Sequence, residues 1–320
     1  MQTQLVNYLT EHDLMPVHQS AYRKFHSTET ALLKVFNDLL QAADQGQVSA
    51  LCLLDLTAAF DTVDHHVLLQ RLQRSFGIED CALAWFSSYL SDRSYCVVYG
   101  GVSSQLIYVM CSVPQGSVLG PLLFILYTAE LAELAYKYGV MLHAFTDDTQ
   151  LYLHCRTNQA EASVETLERC IDAISCWMSA NRLRLNTDKT ELIWTGAKSK
   201  LECLPGRGLP VTLGCDTINV SSVARVLGVL ITPDLSLEQH IDAVCAKCFF
   251  QLRQLRRVRR TLDDDSIAIL VHAFVTSRID YIVSASLLVH QRQAAASHEC
   301  SCTYHPKHPE IRPRSDAAST

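Results

Sequence analysis

Apolar positions along the chain change their spacing several times, and each change marks a predicted element. Residues 1–45 read as helical, with a polar interruption at HDLMPVHQS and a helix expected over TETALLKVFNDLLQAA. VSALCLLDL differs: it is a short apolar run of strand length with Asp55 near its end. DHHVLLQRLQRSFG returns to helical spacing, with Asp64 suited to the N-cap and Gly77 following the end. EDCALAWFSSYL predicts a further helix, and SYCVVYGGVSSQLIYVM predicts two strand-like runs around Gly100-Gly101, a hairpin signal.

Pro114 and Gly116 then break the pattern ahead of a strongly apolar helix expected from about Val118 to Leu134. VMLHAF and TQLYLHC flank a second hairpin corner at Thr146-Asp147-Asp148. NQAEASVETLERCIDAISCWMSANRLRLN predicts a long amphipathic helix running into a strand at KTELIWTG. RVLGVLIT predicts one more strand, ended by Pro233-Asp234. Beyond it the spacing is helical throughout, over SLEQHIDAVCAKCFFQLRQLRRVRR and SIAILVHAFVTSRIDYIVSASLLV. Residues 291–320 are polar, rich in His, Pro and Ala, without periodicity, and are expected to be disordered. Helices, a mixed strand-helix core and a helical pair, in that order, imply an α+β fold with a helical C-terminal appendage.

Composition agrees with a folded chain: of 320 residues, 48% are hydrophobic and 19% charged, enough for one large or two moderate domains. The net charge of -6 excludes a globally basic nucleic-acid binder, so any such role falls to a local patch. QLRQLRRVRR supplies one, with Arg253, Arg256, Arg257, Arg259 and Arg260, although a solvated helix face has the same appearance. Thirteen cysteines, odd in number and irregular in spacing, together with a start lacking secretory features, imply a reduced intracellular protein, cytoplasmic or nuclear rather than secreted. No membrane span is expected, because Glu130 and Glu133 cut short the longest apolar run. Cys245 and Cys248, and Cys300, Cys302, His305 and His308 in the tail, are ligand types suited to zinc, but their settings do not predict a zinc site.

Chemistry enters at HAFTDDTQLY, where Asp147 and Asp148 stand side by side in a mostly apolar and aromatic strip. Adjacent carboxylates repel, and burial raises that cost. On its own the doublet reads as a hairpin turn, since Asp tolerates turn conformations. Asp55, likewise, is explained by an ion pair at a strand end. If the strands bearing them are neighbours, however, three carboxylates converge, and a hard divalent cation is the natural counter-charge.

Three motifs in order, LLDLTAAFDTVDH, SVPQGSVLGP and FTDDTQLY, resemble the polymerase core of LINE-type (non-LTR) retrotransposon reverse transcriptases. QSAYRKFHSTETAL is similar to that family's fingers segment, RLRLNTDKTELIWTG and RVLGVLITPDLSLEQHI to its later palm elements, and FFQLRQLRRVRRTLDDDSIAILVHAFVTSRIDY to its thumb. The resemblance covers roughly residues 1–281. It implies a right-hand polymerase with partial fingers over 1–45, a palm over 46–235 and an α-helical thumb-like region over 236–290. The implied activity is RNA-directed DNA synthesis on an RNA template, from a DNA primer and dNTPs, with no obligate protein partner.

By the same resemblance, Asp55 and Asp147 are the principal ligands of two Mg2+ ions, or of Mn2+ in their place, and Asp148 supports the site. Phe60, five residues after Asp55, matches a steric gate against the 2′-hydroxyl, with core packing as the alternative. Gln115 and Gly116 match the loop beneath the nascent base pair. Arg23 is a candidate grip on the triphosphate, or else the partner of an Asp or Glu. Lys189 matches a lysine that protonates the leaving pyrophosphate, and a salt bridge with Asp188 or Glu191 is the alternative. The arginines of 253–260 would contact a template-primer duplex.

The chain departs from the family pattern at Thr146, where Ala is favoured, at Ser112, where Gly is usual, and at Ala21-Tyr22, which replace Gly-Phe. Family members carry more fingers sequence before QSAYRKF, and the pattern stops after Tyr281, so truncation at both ends is expected. The rival expectation is an inactive relic that at most binds nucleic acid.

Overall fold

Strand β1 (Val48–Leu54) is the axis of the molecule, and its side chains alternate between two cores. In the computed structural model, which describes residues 1–114 and 116–281, Val48, Ala50, Cys52 and Leu54 face one cluster and Leu51 the other. This period of two on a strand buried on both faces explains why the run is almost continuously apolar. Ahead of it, α1 (Gln2–Glu11) and α2 (Thr28–Asp44) form as the spacing predicts. A reciprocal cap starts α2: the Thr30 N–H donates to Ser27 Oγ at 3.3 Å and the Ser27 N–H to Thr30 Oγ1 at 2.8 Å. Its Leu32, Val35, Phe36 and Leu39 cover the Leu51 face of the sheet.

On the opposite face lie α3 (His65–Arg74) and α4 (Asp80–Leu90), with Asp64 Oδ1 capping α3 through the Val67 N–H at 3.0 Å. Next comes an exposed ribbon, β2 (Ser94–Tyr95) with β5 (Ile107–Tyr108) and β3 (Val98–Tyr99) with β4 (Val102–Ser103). Its two-residue turn is Gly100-Gly101 with φ of 57° and 81°, as a twisted hairpin requires.

The apolar run after residue 117 does not form the single helix expected from Val118 to Leu134. It divides into α5 (Gly120–Tyr127) and α6 (Leu131–Lys137). The break has a cause. Thr128 bonds back to the Phe124 carbonyl through Oγ1 at 3.1 Å, and the Tyr127 carbonyl accepts from the buried Arg71 guanidinium instead of continuing a helix ladder. Buried α5 can then end inside the protein while α6 turns along the surface.

Strands β6 (Met141–Phe145) and β7 (Asp148–Cys155) follow, then helix α7 (Ala160–Ala180) and strand β8 (Glu191–Gly196). The sheet is antiparallel with order β6-β7-β1-β8, and its register pairs Leu54 with Thr149 and Val48 with both Cys155 and Gly196. A short helix α8 (Lys198–Leu201) leads to two hairpins that the sequence reading did not resolve. One is β9 (Val211–Leu213) with β10 (Asp216–Ile218). The other corrects the single strand read over RVLGVLIT: β11 (Ala224–Val226) pairs with β12 (Val229–Ile231). Leu227 and Gly228 make its turn with φ of 46° and 88°, so a glycine inside an apolar run reverses the chain here.

The C-terminal pair is α9 (Glu238–Val258) and α10 (Asp264–Val271), the latter continuing helically to Tyr281, whose hydroxyl donates to the Leu227 carbonyl at 2.7 Å. Gln115, residues 282–290 of the expected thumb-like region and the expected tail 291–320 lie outside the described residues. No described helix is long and apolar enough to cross a membrane.

Candidate active site

Antiparallel pairing of β1 with β7 brings the two acidic motifs to one end of the sheet. Leu54 faces Thr149, so Asp55 follows the end of β1 where Asp148 opens β7. Phe145 pairs with Asp148, which leaves Thr146-Asp147 as a two-residue turn between β6 and β7. The doublet therefore sits at a hairpin turn, and the strand it opens is the neighbour of the strand that Asp55 follows. Beside them runs the NTDK loop, tied to the strand end because the Asn186 N–H donates to the Asp55 carbonyl and the Thr57 N–H to the Arg184 carbonyl, both at 2.9 Å.

Electrostatics couple the three acids. Burial, followed by the charge on Asp55, holds the Asp147 carboxyl above the usual carboxylate range, and burial with the charges of Asp147 and Asp55 does the same to Asp148. Asp55 Oδ2 is buried and, among the described residues, accepts no hydrogen bond. Lys189 Nζ lies 3.6 Å from that oxygen, so the lysine pairs with Asp55 and not with Asp188 or Glu191.

Carboxylate oxygens, one of them buried without a hydrogen-bond donor among the described residues, are the donor type that a hard cation takes. Among the described residues no three His, Cys, Asp or Glu side chains are gathered tightly enough to hold an ion. The positive charge beside Asp55 comes from the lysine.

Phe60 is half-buried, its ring 4.7 Å from that of Phe124, and its carbonyl accepts the Val113 N–H at 2.9 Å. That bond ties it to the Pro114 loop. Gly116 has φ of 75° with no atom within 4 Å of where a Cβ would stand, so conformation alone calls for glycine here. Arg23 donates to the Pro16 carbonyl at 3.3 Å, not to an Asp or Glu. Arg253, Arg256 and Arg257 are exposed on α9, and Arg259 and Arg260 in the turn after it, where Arg259 pairs with Asp264.

The model of the family described as reverse transcriptase (RNA-dependent DNA polymerase) matches residues 1–231. The chain belongs to that family. It is 27% identical over 257 residues to the probable RNA-directed DNA polymerase from transposon BS of Drosophila melanogaster, covering 79% of this chain and 28% of that protein. It is also 27% identical over 235 residues to the RNA-directed DNA polymerase from mobile element jockey of the same species, covering 72% and 25%. The chain thus spans about a quarter of the length of these curated relatives. Among solved structures, apo telomerase from Candida tropicalis truncated from the C-terminal domain shares the fold, with a TM-score of 0.50 and 16% identity over 74% of this chain and 43% of that one.

These relatives make the chain a LINE-type reverse transcriptase domain, a family that uses divalent metal ions. Within this reverse transcriptase domain Asp55, Asp147, Asp148 and Lys189 come together, while the α9 arginines stand on a separate element. Sequence reasoning missed two contributors. Asn186 carries the lysine loop to Asp55, and Gln19 bonds the backbone of Thr146. A backbone bond leaves no periodic trace in the sequence, and only the Gln in QSAYRKF hinted at the second.

Proposed function

We propose that the chain catalyses RNA-directed DNA synthesis, adding deoxynucleotides to a primer 3′-hydroxyl on an RNA template. The observation that carries this reading is the acidic corner, with the unbonded buried Oδ2 of Asp55 beside the Lys189 ammonium. Asp55 and Asp147 would hold the metal ions through carboxylate oxygens, and Asp148 would supply further negative charge. When bound, two Mg2+ ions, or Mn2+ in their place, lower the pKa of the primer hydroxyl and neutralise charge on the departing pyrophosphate.

The primer 3′-hydroxyl gives its proton to solvent and its oxygen forms a bond to the α-phosphorus as the bond from that phosphorus to the bridging oxygen breaks. Pyrophosphate leaves, and Lys189 gives its proton to it. Phe60 lies under the sugar and excludes a 2′-hydroxyl. Gly116 lets the backbone approach the nascent pair, Arg23 grips the triphosphate, and the arginines of 253–260 follow the duplex backbone. A reduced intracellular compartment, cytoplasm or nucleus, suits a chain whose described cysteines are all free.

Extension of a DNA primer on an RNA template with Mg2+ tests the reading, comparing the chain with Asp147→Ala. Incorporation that disappears in the variant is the expected result. An absence of incorporation at every protein concentration, alongside measurable duplex binding, would reduce the chain to a nucleic-acid-binding relic.

A further inference from the structure

The turn that carries Asp147 is backbone-strained. Thr146, its first residue, has φ of 62°, a left-handed conformation that a β-branched side chain disfavours. Because Phe145 pairs with Asp148, the N–H and C=O of Thr146 lie outside the β6–β7 ladder and need partners elsewhere.

One side chain supplies both. Gln19 Oε1 accepts the Thr146 N–H at 2.9 Å, and Gln19 Nε2 donates to the Thr146 carbonyl at 3.1 Å. A carboxamide presents an acceptor and a donor on separate atoms in one plane, so it pairs with both backbone groups of one residue as a neighbouring strand would. The Ala21 N–H also donates to Oε1, at 3.0 Å, which fixes which way the amide faces. Gln19 itself is 5% exposed and anchored: the Ala144 N–H donates to the His18 carbonyl at 2.8 Å, and the Ser20 N–H to the Ala144 carbonyl at 3.0 Å. The segment thus runs parallel beside the end of β6.

We propose that Gln19 is a positioning residue for Asp147: its carboxamide clamps both backbone groups of Thr146 and so aims the carboxylate that follows. The catalytic consequence rests on the polymerase reading above, whereas the clamp itself does not. Gln19 also lies four residues before Arg23, so the segment proposed to grip the triphosphate is braced against the corner proposed to hold metal.

The test uses the 320-residue chain, its Gln19→Ala, Gln19→Glu and Thr146→Gly variants, and the Gln19→Ala/Thr146→Gly double variant. Primer extension gives kcat and the dNTP KM, and amide hydrogen exchange over peptides spanning the β6–β7 turn reads the clamp independently of activity. Gln19→Ala is expected to lower kcat roughly 100-fold through misplacement of Asp147, with KM little changed and the turn exchanging faster. Gln19→Glu, which keeps the acceptor and loses the donor, falls between. Glycine adopts positive φ without strain, so in the Thr146→Gly background Gln19→Ala costs less than about threefold.

Equal kcat losses in both backgrounds, or turn exchange unchanged by Gln19→Ala and Gln19→Glu, would overturn the proposal. If the parent chain incorporates nothing, the polymerase reading fails by itself. Exchange then decides the clamp: faster exchange at the turn sustains it, and unchanged exchange removes it.

Discussion

Asp147 carries a charge where burial and the neighbouring Asp55 both oppose it, which makes it a site where stability and chemistry pull apart. Its folded-state carboxyl titrates above the unfolded value of 3.8, so the group favours the folded state most below that value and loses this contribution as pH rises through the raised one. At neutral pH the folded protein bears the whole cost. Asp147→Asn is therefore expected to raise Tm by about 2 °C at pH 7, an advantage that fades as pH approaches 4, while abolishing incorporation. Thermal melts at the two pH values check it, and a lower Tm at neutral pH would contradict the assignment. Legibility at this scale was uneven. The acids were readable because their types and order are unusual, whereas the partner of Lys189 was not, because Asp55 is 134 positions away in the chain and Asp188 and Glu191 are local.

Among the elements, α3 and α5 are joined by a charged residue that shares the buried face of α3 with Leu68 and Leu72. Arg71 is 8% exposed. Its guanidinium donates to the Tyr127 carbonyl, to Asn181 Oδ1 at 3.0 Å and to Glu130 Oε2 at 3.2 Å, and it lies over the rings of Tyr127 and Trp177. Five groups from three helical regions thus depend on one cation. Arg71→Ala leaves the buried carbonyl and amide without a donor, and is expected to cost about 3 kcal/mol. Urea unfolding should show a lower midpoint at an unchanged slope, and a shift of less than about 1 kcal/mol would show that water replaces the guanidinium. The same contact explains why the expected helix over Val118–Leu134 divides. Apolar spacing continues across the break, so periodicity cannot detect an end whose carbonyl is satisfied by a distant side chain.

For the whole molecule, the proposed binding of a polyanion by a chain of net charge -6 requires that positive charge be segregated. The exposed arginines of α9 and the turn after it provide that segregation, on an element apart from the acidic corner. Replacing Arg256 or Arg257 with Ala is expected to weaken RNA–DNA duplex binding at every sequence and to reduce the slope of log affinity against log salt by about 1 each. Fluorescence anisotropy across a salt series measures this, and an unchanged slope would make those residues a solvated face. The separation also keeps the arginines from pairing with the acidic corner: its carboxylates lie at one sheet end, and the arginines stay in solvent.

By itself the sequence determined the α+β class, most helices, the strand bearing Asp55, the hairpin bearing Asp147 and Asp148, and the family resemblance. All of these rest on local periodicity, turn chemistry or contiguous motifs, which are properties of neighbouring residues. Only the tertiary structure decided that β1 lies against β7 so that the acids converge, that Lys189 faces Asp55, and that Gln19 holds Thr146 in a left-handed turn. Those outcomes depend on strand order and on hydrogen bonds and an ion pair between residues far apart in sequence, and such contacts impose no spacing on the chain that makes them.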